Sequence, residues 1–249
     1  MDVTFLGTGS AMPTGHRYQT GLLVTADGRS MVVDCGAGVL QRLARTEVGY
    51  EDVPVVLLTH HHIDHIADLV PLLKARWLAG ADPLTVVGPP GTQSLVEDLL
   101  TVHDYLAEKV AYDVREVEAG TFSVGGWEVA ARETRHSMPC LAYRFGGADG
   151  PFCFSGDSEA FPDLISFADG ATALAHDCSF PDTVDVSNHP TPTQLGAALT
   201  EATATIETVY LTHLYPHTEG HHEEMLASIT EVYDGDVQFA RDGLTITVE

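Results

Sequence analysis

The chain has 249 residues, 44% of them hydrophobic, enough to bury a sizeable core, and residues 1–249 are expected to form one layered α/β domain. Twelve basic against thirty-six acidic residues leave a net charge of −24, which disfavours a nucleic-acid backbone as partner, because such binding neutralises phosphates with Lys and Arg. No apolar run approaches the roughly 20 residues of a membrane span, and no basic segment precedes an apolar stretch at the start, so the expectation is a soluble, cytoplasmic protein without membrane contact.

The first predicted elements are the β-type runs D-V-T-F-L-G, T-G-L-L-V-T and S-M-V-V-D-C-G, followed by a helix from Val39 to about Arg45. The run V-P-V-V-L-L-T is a strand that ends on T-H-H-H-I-D-H, residues 59 to 65. Ile66, Leu69, Val70, Leu73 and Trp77 then recur at i, i+3, i+4 spacing, which predicts a helix with one buried face; Asp68 and Pro71 suit its N-cap and first turn. L-T-V-V-G-P-P-G-T predicts a strand, a turn and a helix running to about Leu106.

Further on, V-R-E-V, F-S-V-G-G-W-E-V-A-A, L-A-Y-R-F and F-C-F-S-G-D-S are β-type, and Phe161-Pro162 opens a short helix. A-T-A-L-A-H-D-C-S-F follows, then a helix from Thr191-Pro192, the strand T-V-Y-L-T-H, a helix from about Glu219, and the closing runs V-Q-F-A-R and L-T-I-T-V. Strands come first, then helices, and the order repeats, which predicts a sandwich of sheets with helices outside. Four cysteines, Cys35, Cys140, Cys153 and Cys178, lie far apart with no C-x-x-C pair, and are expected to be buried and free.

The acidic shell has only two lysines, Lys74 and Lys109. It would repel itself in dilute buffer, whereas near 1 M salt the Debye length falls to about 3 Å. A salt-rich cytoplasm, as in a halophile, is the expected setting.

The chemistry sits where apolar runs end. Divalent metals take imidazole nitrogen and carboxylate oxygen, and a catalytic site leaves a position for water. In His60-x-His62-x-Asp64-His65 a strand gives way to a turn. Residues two apart in extended backbone point the same way, so His60 and His62 can grip one metal while Asp64 and His65 come round to a second. His61 should face away. His136, Asp157 and His213 repeat the theme of a polar ligand type closing an apolar run. The expected sets are His60, His62, His136 and Asp157 for one metal, and Asp64, His65, Asp157 and His213 for the other, with Asp157 shared. Two metals roughly 3.5 to 4 Å apart stabilise the charge of an in-line displacement; zinc is expected, with manganese or iron as alternatives.

H-x-H-x-D-H, G-T-G-S-A (residues 7–11), G-P-P-G (88–91), S-G-D-S (155–158) and L-T-H (211–213), in that family's order over nearly the whole chain, resemble the metallo-β-lactamase superfamily, specifically its ribonuclease Z-like branch. The resemblance implies a four-layer αββα sandwich and a dinuclear hydrolase. It adds two positions: His176-Asp177-Cys178-Ser179-Phe180 resembles that group's H-E-A-T-F segment, and Asn188-His189-Pro190-Thr191 its H-S-T segment. Asp177 and His189 are thereby implied as a carboxylate–histidine pair, with His189 protonating the leaving oxygen. D-C-S followed by N-H also resembles the small phosphodiesterase of phosphonate degradation, without that enzyme's cysteine-rich zinc cluster.

The ribonuclease Z arm for transfer RNA is inserted between the third histidine motif and the bridging aspartate. Here His136 and Asp157 are 21 positions apart (157 − 136), with room for a hairpin, so transfer RNA maturation is not expected. The leading expectation is a dinuclear phosphodiesterase acting on a small or short single-stranded phosphodiester, with Asp64 orienting or deprotonating the attacking water. The alternatives are hydrolysis of a sulfate ester, thioester or lactone, and a non-catalytic regulatory member of the fold. An oxygen-reducing di-iron role is disfavoured, since that branch carries glutamate where this chain has His62. Arg17, Tyr18 and Tyr215 are candidates to reach substrate, and a homodimer is implied by the resemblance alone.

Overall fold

The computed structural model describes residues 1–146 and 150–248. The first sheet takes its strands from both ends of the chain: β1 (Asp2–Gly7), β2 (Gly21–Ala26), β3 (Arg29–Val33), β4 (Val55–Leu57), β5 (Leu84–Gly88), β6 (Tyr112–Glu116) and β14 (Thr245–Thr247), in the order β14-β1-β2-β3-β4-β5-β6. The second sheet is built from β7 (Gly120–Val124), β8 (Trp127–Glu133), β9 (Leu141–Phe145), β10 (Phe152–Phe154), β11 (Ala171–Asp177), β12 (Ile206–Thr212) and β13 (Asp236–Phe239), ordered β13-β12-β11-β10-β9-β8-β7. In each sheet an antiparallel half joins a parallel half, β3-β4-β5-β6 in the first and β10-β11-β12-β13 in the second.

The parallel strands are covered on both faces, which is why V-V-L of β4 is buried throughout and L-T-V-V-G of β5 is buried at every residue but Thr85, without alternation. Between the sheets lies one core, with Phe5, Val33 and Leu57 facing Tyr143, Phe145, Phe152 and Phe154. A second core packs the other side of the first sheet under α1 (Val39–Leu43), α3 (Leu69–Ala79) and α4 (Thr92–Val102). A third packs the second sheet under α6 (Pro162–Phe167), α7 (Pro192–Ala202) and α8 (His222–Thr230). Helix, sheet, sheet and helix layers follow, as the resemblance implied. Burying one Leu or Phe side chain in such a core stabilises by about 1.5–3 kcal/mol.

The two sheets are tied together at one edge. Tyr143 of β9 donates its hydroxyl hydrogen to the Leu58 carbonyl at 2.7 Å, and the Leu141 amide donates to the Thr59 carbonyl at 3.0 Å. This is the edge where the parallel strands end, the place where α/β sheets bind ligands. Gly36 is required there, because a Cβ at that position would lie 2.1 Å from the Asp64 carbonyl oxygen.

Helix boundaries depart from the periodicity in one informative place. The pattern drawn from Ile66 to Trp77 belongs to two helices, α2 (Ile63–Ile66) and α3, so the buried face of α3 is Leu69, Leu72, Leu73 and Arg76. Trp77 is 37% exposed. Arg76 replaces it in the interior because its guanidinium donates to the carbonyls of Tyr50, Glu51 and Asp82 at 2.6–2.8 Å. Asp68 makes no side-chain bond to its own helix; its carboxylate accepts from the Gly38 and Leu40 amides at the start of α1. The helix expected to run to Leu106 breaks at His103, where α5 (Asp104–Ala107) begins, and α8 starts at His222, after a 3-10 turn at Pro216–Thr218. No described helix is long and apolar enough to cross a membrane.

Candidate metal centre

Every residue of the two expected ligand sets lies at the shared edge. His60 and His62 leave the end of β4, Asp64 and His65 lie on α2, Asp157 follows the turn after β10, and His213 follows β12. Gly156 (φ 57°) makes that turn. Asp34, Asn188 and His213, all non-glycine, also sit at positive φ, between 59° and 67°. Such backbone costs on the order of 1–3 kcal/mol each and persists where surrounding structure imposes it.

In the first set, His60 Nε2 is 3.0 Å and His136 Nε2 3.1 Å from His62 Nδ1. Asp157 Oδ2 stands 3.6 Å from His60 Nε2 and 3.8 Å from His136 Nε2. In the second, Asp64 Oδ2 is 3.1 Å from His213 Nε2 and 3.8 Å from His65 Nε2. Asp157 reaches into this set as well, with Oδ1 3.3 Å from His65 Nε2 and Oδ2 3.3 Å from His213 Nε2.

These spacings fit metal ions better than they fit hydrogen bonds alone. Ligand atoms 2.0–2.2 Å from a tetrahedral ion lie roughly 3.3–3.6 Å from one another. The His65 Nε2 atom is buried with no hydrogen-bond partner, although it faces Asp157. Four of the five imidazoles are also held from behind, which fixes the ring and turns the other nitrogen into the site. His65 Nδ1 meets Asp34 Oδ2 at 2.7 Å, and His60 Nδ1 meets Thr59 Oγ1 at 3.0 Å. His136 Nδ1 donates to the Asn188 carbonyl at 3.2 Å, and His213 Nδ1 meets Ser179 Oγ at 2.9 Å.

Protonation agrees. Burial, reinforced by His65, pushes His60 well below the ordinary imidazole value, and burial also lowers His62 and His136. Burial would raise Asp157, but His213, His65 and His60 hold it well below the carboxylate range. Burial likewise opposes ionised Asp64, yet its hydrogen bond with His213 and the charge of His65 keep it low. Neutral imidazole and ionised carboxylate are the forms that bind metal. His65 is the exception: burial disfavours its cation, but Asp157 and Asp34 raise it well above normal.

A second pair stands at the rim. His189 Nδ1 bonds Asp177 Oδ2 at 2.7 Å, and Asp177, fully buried, also accepts from Ser179 Oγ at 2.5 Å and from the Ser158 amide at 3.2 Å. Burial works against the His189 cation, but the charge and hydrogen bond of Asp177 outweigh it, and the pKa is raised to about 9. Asp157, Asp177, His189 and His213 also form a group close enough to hold an ion. The bond to Asp177 occupies His189 Nδ1, however, which favours the pair over ligation. His189 stacks on His213 at 5.3 Å between ring centroids. A cleft of about 280 Å³ opens here, lined among others by Ala11, His62, Asp64, His136, His189 and Tyr215.

The structure corrects two expectations and supplies two residues that the sequence reading missed. Arg17 does not reach the cleft; its Nη1 donates to Thr8 Oγ1 and the Ala240 carbonyl, pinning the first loop. Tyr18 lies under the Arg42 guanidinium, 5.6 Å from ring centroid to Cζ. His61 turns away, its Nε2 2.8 Å from Thr92 Oγ1. Asp34 and Ser179 were missed, and Asp34 carried a usable signal: it too closes an apolar run, V-V-D-C-G.

Comparison with known proteins gives the family and the fold. The family described as anti-Pycsar protein Apyc1 matches residues 1–228. A ribonuclease Z from Mycolicibacterium gilvum (strain PYR-GCK) is 32% identical over 271 aligned positions, covering 97% of this chain and 94% of that protein. The metallo-β-lactamase fold protein YhfI from Bacillus subtilis superposes with a TM-score of 0.82 at 25% identity, covering 99% of each chain. Human tRNase Z, short form, superposes at 0.79 and 22% identity over the full length of both, a likeness of fold.

Proposed function

The chain belongs to the anti-Pycsar protein Apyc1 family and is a ribonuclease Z-like member of the metallo-β-lactamase fold, and from that premise we propose that it is a two-metal phosphodiesterase acting on a small or short single-stranded phosphodiester. The fold and its relatives make it a metal-dependent hydrolase; we propose further that it takes two ions, that these are zinc, and that residues 1–249 act as one domain. The observation that carries it is the His189–Asp177 pair at the mouth of a site where two donor sets share Asp157.

When bound, two divalent ions would polarise the phosphoryl group and make water a better nucleophile. His60, His62, His136 and Asp157 would hold one of them, and Asp64, His65, His213 and Asp157 the other. Asp64 lines the cleft and orients the attacking water or takes its proton. Because His189 Nδ1 donates to Asp177, its Nε2 is the atom that gives a proton to the leaving oxygen, and Asp177 keeps the ring protonated until then. A cleft of about 280 Å³ suits a small diester better than a folded RNA.

Transfer RNA 3′ maturation is set aside on two grounds, the net charge of −24 and the short β9–β10 link, of which residues 147–149 lie outside the described residues. The acidic, lysine-poor composition supports a salt-rich medium as the working environment.

The test is turnover of bis(p-nitrophenyl) phosphate by metal-reconstituted protein in multimolar KCl, beside Asp64→Ala, His189→Ala and a precursor transfer RNA. Diester turnover lost in both variants is the expected result. Bound metal with an untouched diester would sink the phosphodiesterase reading and turn attention to thioesters, lactones and sulfate esters. Cleavage of the precursor would overturn the exclusion of transfer RNA.

A further inference from the structure

Two exposed apolar side chains stand at the mouth of the metal cleft. Ile63 lines the cleft between the ligand residues His62 and Asp64 and is 66% exposed; Met12, 47% exposed, follows Ala11, which also lines it. Ile63 opens α2 just after the extended backbone of His62 and belongs to none of the hydrophobic cores, so packing does not call for an isoleucine there. The first loop is fastened beside the end of β12, where Gly9 pairs with Leu214 and Ser10 Oγ donates to the Leu214 carbonyl at 3.4 Å. Tyr215, the next residue, is backed by Phe180, with ring centroids 4.4 Å apart and planes 26° from parallel. Ile63, Ala11, Met12 and Tyr215 therefore give the mouth an apolar side, and the uncharged Ser137 and Asn188 line it as well.

No lysine or arginine lines the cleft among the described residues. Arginines on the adjoining loops are turned elsewhere: Arg17 donates to Thr8 Oγ1 and the Ala240 carbonyl, and the Arg135 guanidinium lies over the Phe161 ring, Cζ 4.1 Å from its centroid. The His189 ring is committed to Asp177. We propose that the site selects diesters that carry a single negative charge and uncharged substituents, with Ile63 as the residue that receives a substituent and turns away one bearing a second phosphate; this rests on the phosphodiesterase reading above. Ligand sites hold their ligands on apolar walls with a few placed polar groups. The charge of the diester itself would be met at the two donor sets. A second phosphate would stand over Ile63 with no cation to pair it, facing the carboxylates of Asp64 and Asp157, and an unpaired charge of that kind selects against its bearer. High salt screens the acidic outer surface, so discrimination made by the mouth persists in multimolar KCl, where repulsion by the shell as a whole does not.

The experiment compares two chromogenic esters that differ in one phosphate, thymidine 5′-(p-nitrophenyl phosphate) with and without a 3′-phosphate, on metal-reconstituted protein in about 2 M KCl. Wild type should turn over the singly charged ester with a kcat/KM about tenfold above that of its phosphorylated counterpart. Ile63→Lys should raise kcat/KM for the phosphorylated ester about fivefold and leave the other within about twofold, Met12→Lys should act in the same direction more weakly, and Val232→Lys, an equal charge placed after α8, should change neither. Equal kcat/KM for the two esters, or a gain with Val232→Lys as large as with Ile63→Lys, overturns the proposal. If metal is bound and neither ester is cleaved, the phosphodiesterase reading falls, and the same esters titrated by calorimetry decide the charge selection separately. Tighter binding of the singly charged ester, narrowed by Ile63→Lys, upholds it; equal affinities, or no binding of either, overturn it. Ile63 and Met12 are exposed, so both lysine variants keep the fold, and bound metal is measured beside each.

Discussion

Asp34 does its work one bond away from the centre. Its two carboxylate oxygens accept from the Thr59 amide and hydroxyl and from His65 Nδ1, which aims Nε2 of His65 at Asp157. Outer partners of this kind are worth about 10–100-fold in metal affinity. Asp34→Asn should therefore weaken binding by that order in a competition titration with a zinc chelator, and an unchanged affinity would show the bond to be incidental. His189 gives a second measurement. In metal-free protein its imidazole should titrate near pH 9 by NMR, and Asp177→Asn should bring it down, because the largest opposition to burial is then gone and only the more distant charges of Asp157 and Asp64 remain. The sign for stability follows: a pKa raised from 6.5 contributes stability that is fully present below pH 6.5 and is lost as pH climbs through 9. The residues that close apolar runs were legible in the sequence because strand ends converge on one edge. Ser179 was not, since its role is a through-space bond to three side chains, Asp177, His189 and His213, and spacing along the chain does not encode that. Asp34 was passed over because V-V-D-C-G also serves as an ordinary strand exit.

At the level of elements, α7 carries a full capping box. The Thr191 side chain takes the amide three residues on, and Gln194 reaches back to the Thr191 amide at 2.9 Å. Thr191 begins the helix two residues after His189, so the cap also fixes the loop that presents the proposed acid. Thr191→Ala should cost about 1 kcal/mol of stability, read as a lower urea midpoint with unchanged slope; no shift in the midpoint would mean that α7 is held by packing alone. This start was readable from T-P-T-Q. The buried face of α3 was not, because periodicity assumes an unbroken helix, and the chain instead restarts at Asp68, turning Trp77 outward and Arg76 inward.

For the molecule as a whole, the proposed salt adaptation makes a prediction about stability. Going from about 0.1 M to about 2 M KCl screens a surface of −24, and the melting temperature should rise, by about 2–4 °C for each kcal/mol gained; a flat or falling curve would contradict the salt-adapted reading. The layer order was legible from the succession of strands and helices. The destination of the last two strands was not, since V-Q-F-A-R and L-T-I-T-V look alike, yet β13 joins the second sheet and β14 returns to pair with β1 in the first. Between them Asp242 accepts from the Thr8 amide and hydroxyl and from the Tyr18 amide. A polypeptide still emerging from the ribosome would therefore carry β1 with a bare edge, and its first loop without an anchor, through more than 230 residues of synthesis. Unpaired edges recruit other chains. Nascent copies of this protein should thus depend on a holding chaperone until the final strand arrives, and truncation before Asp242 should divert it into aggregates.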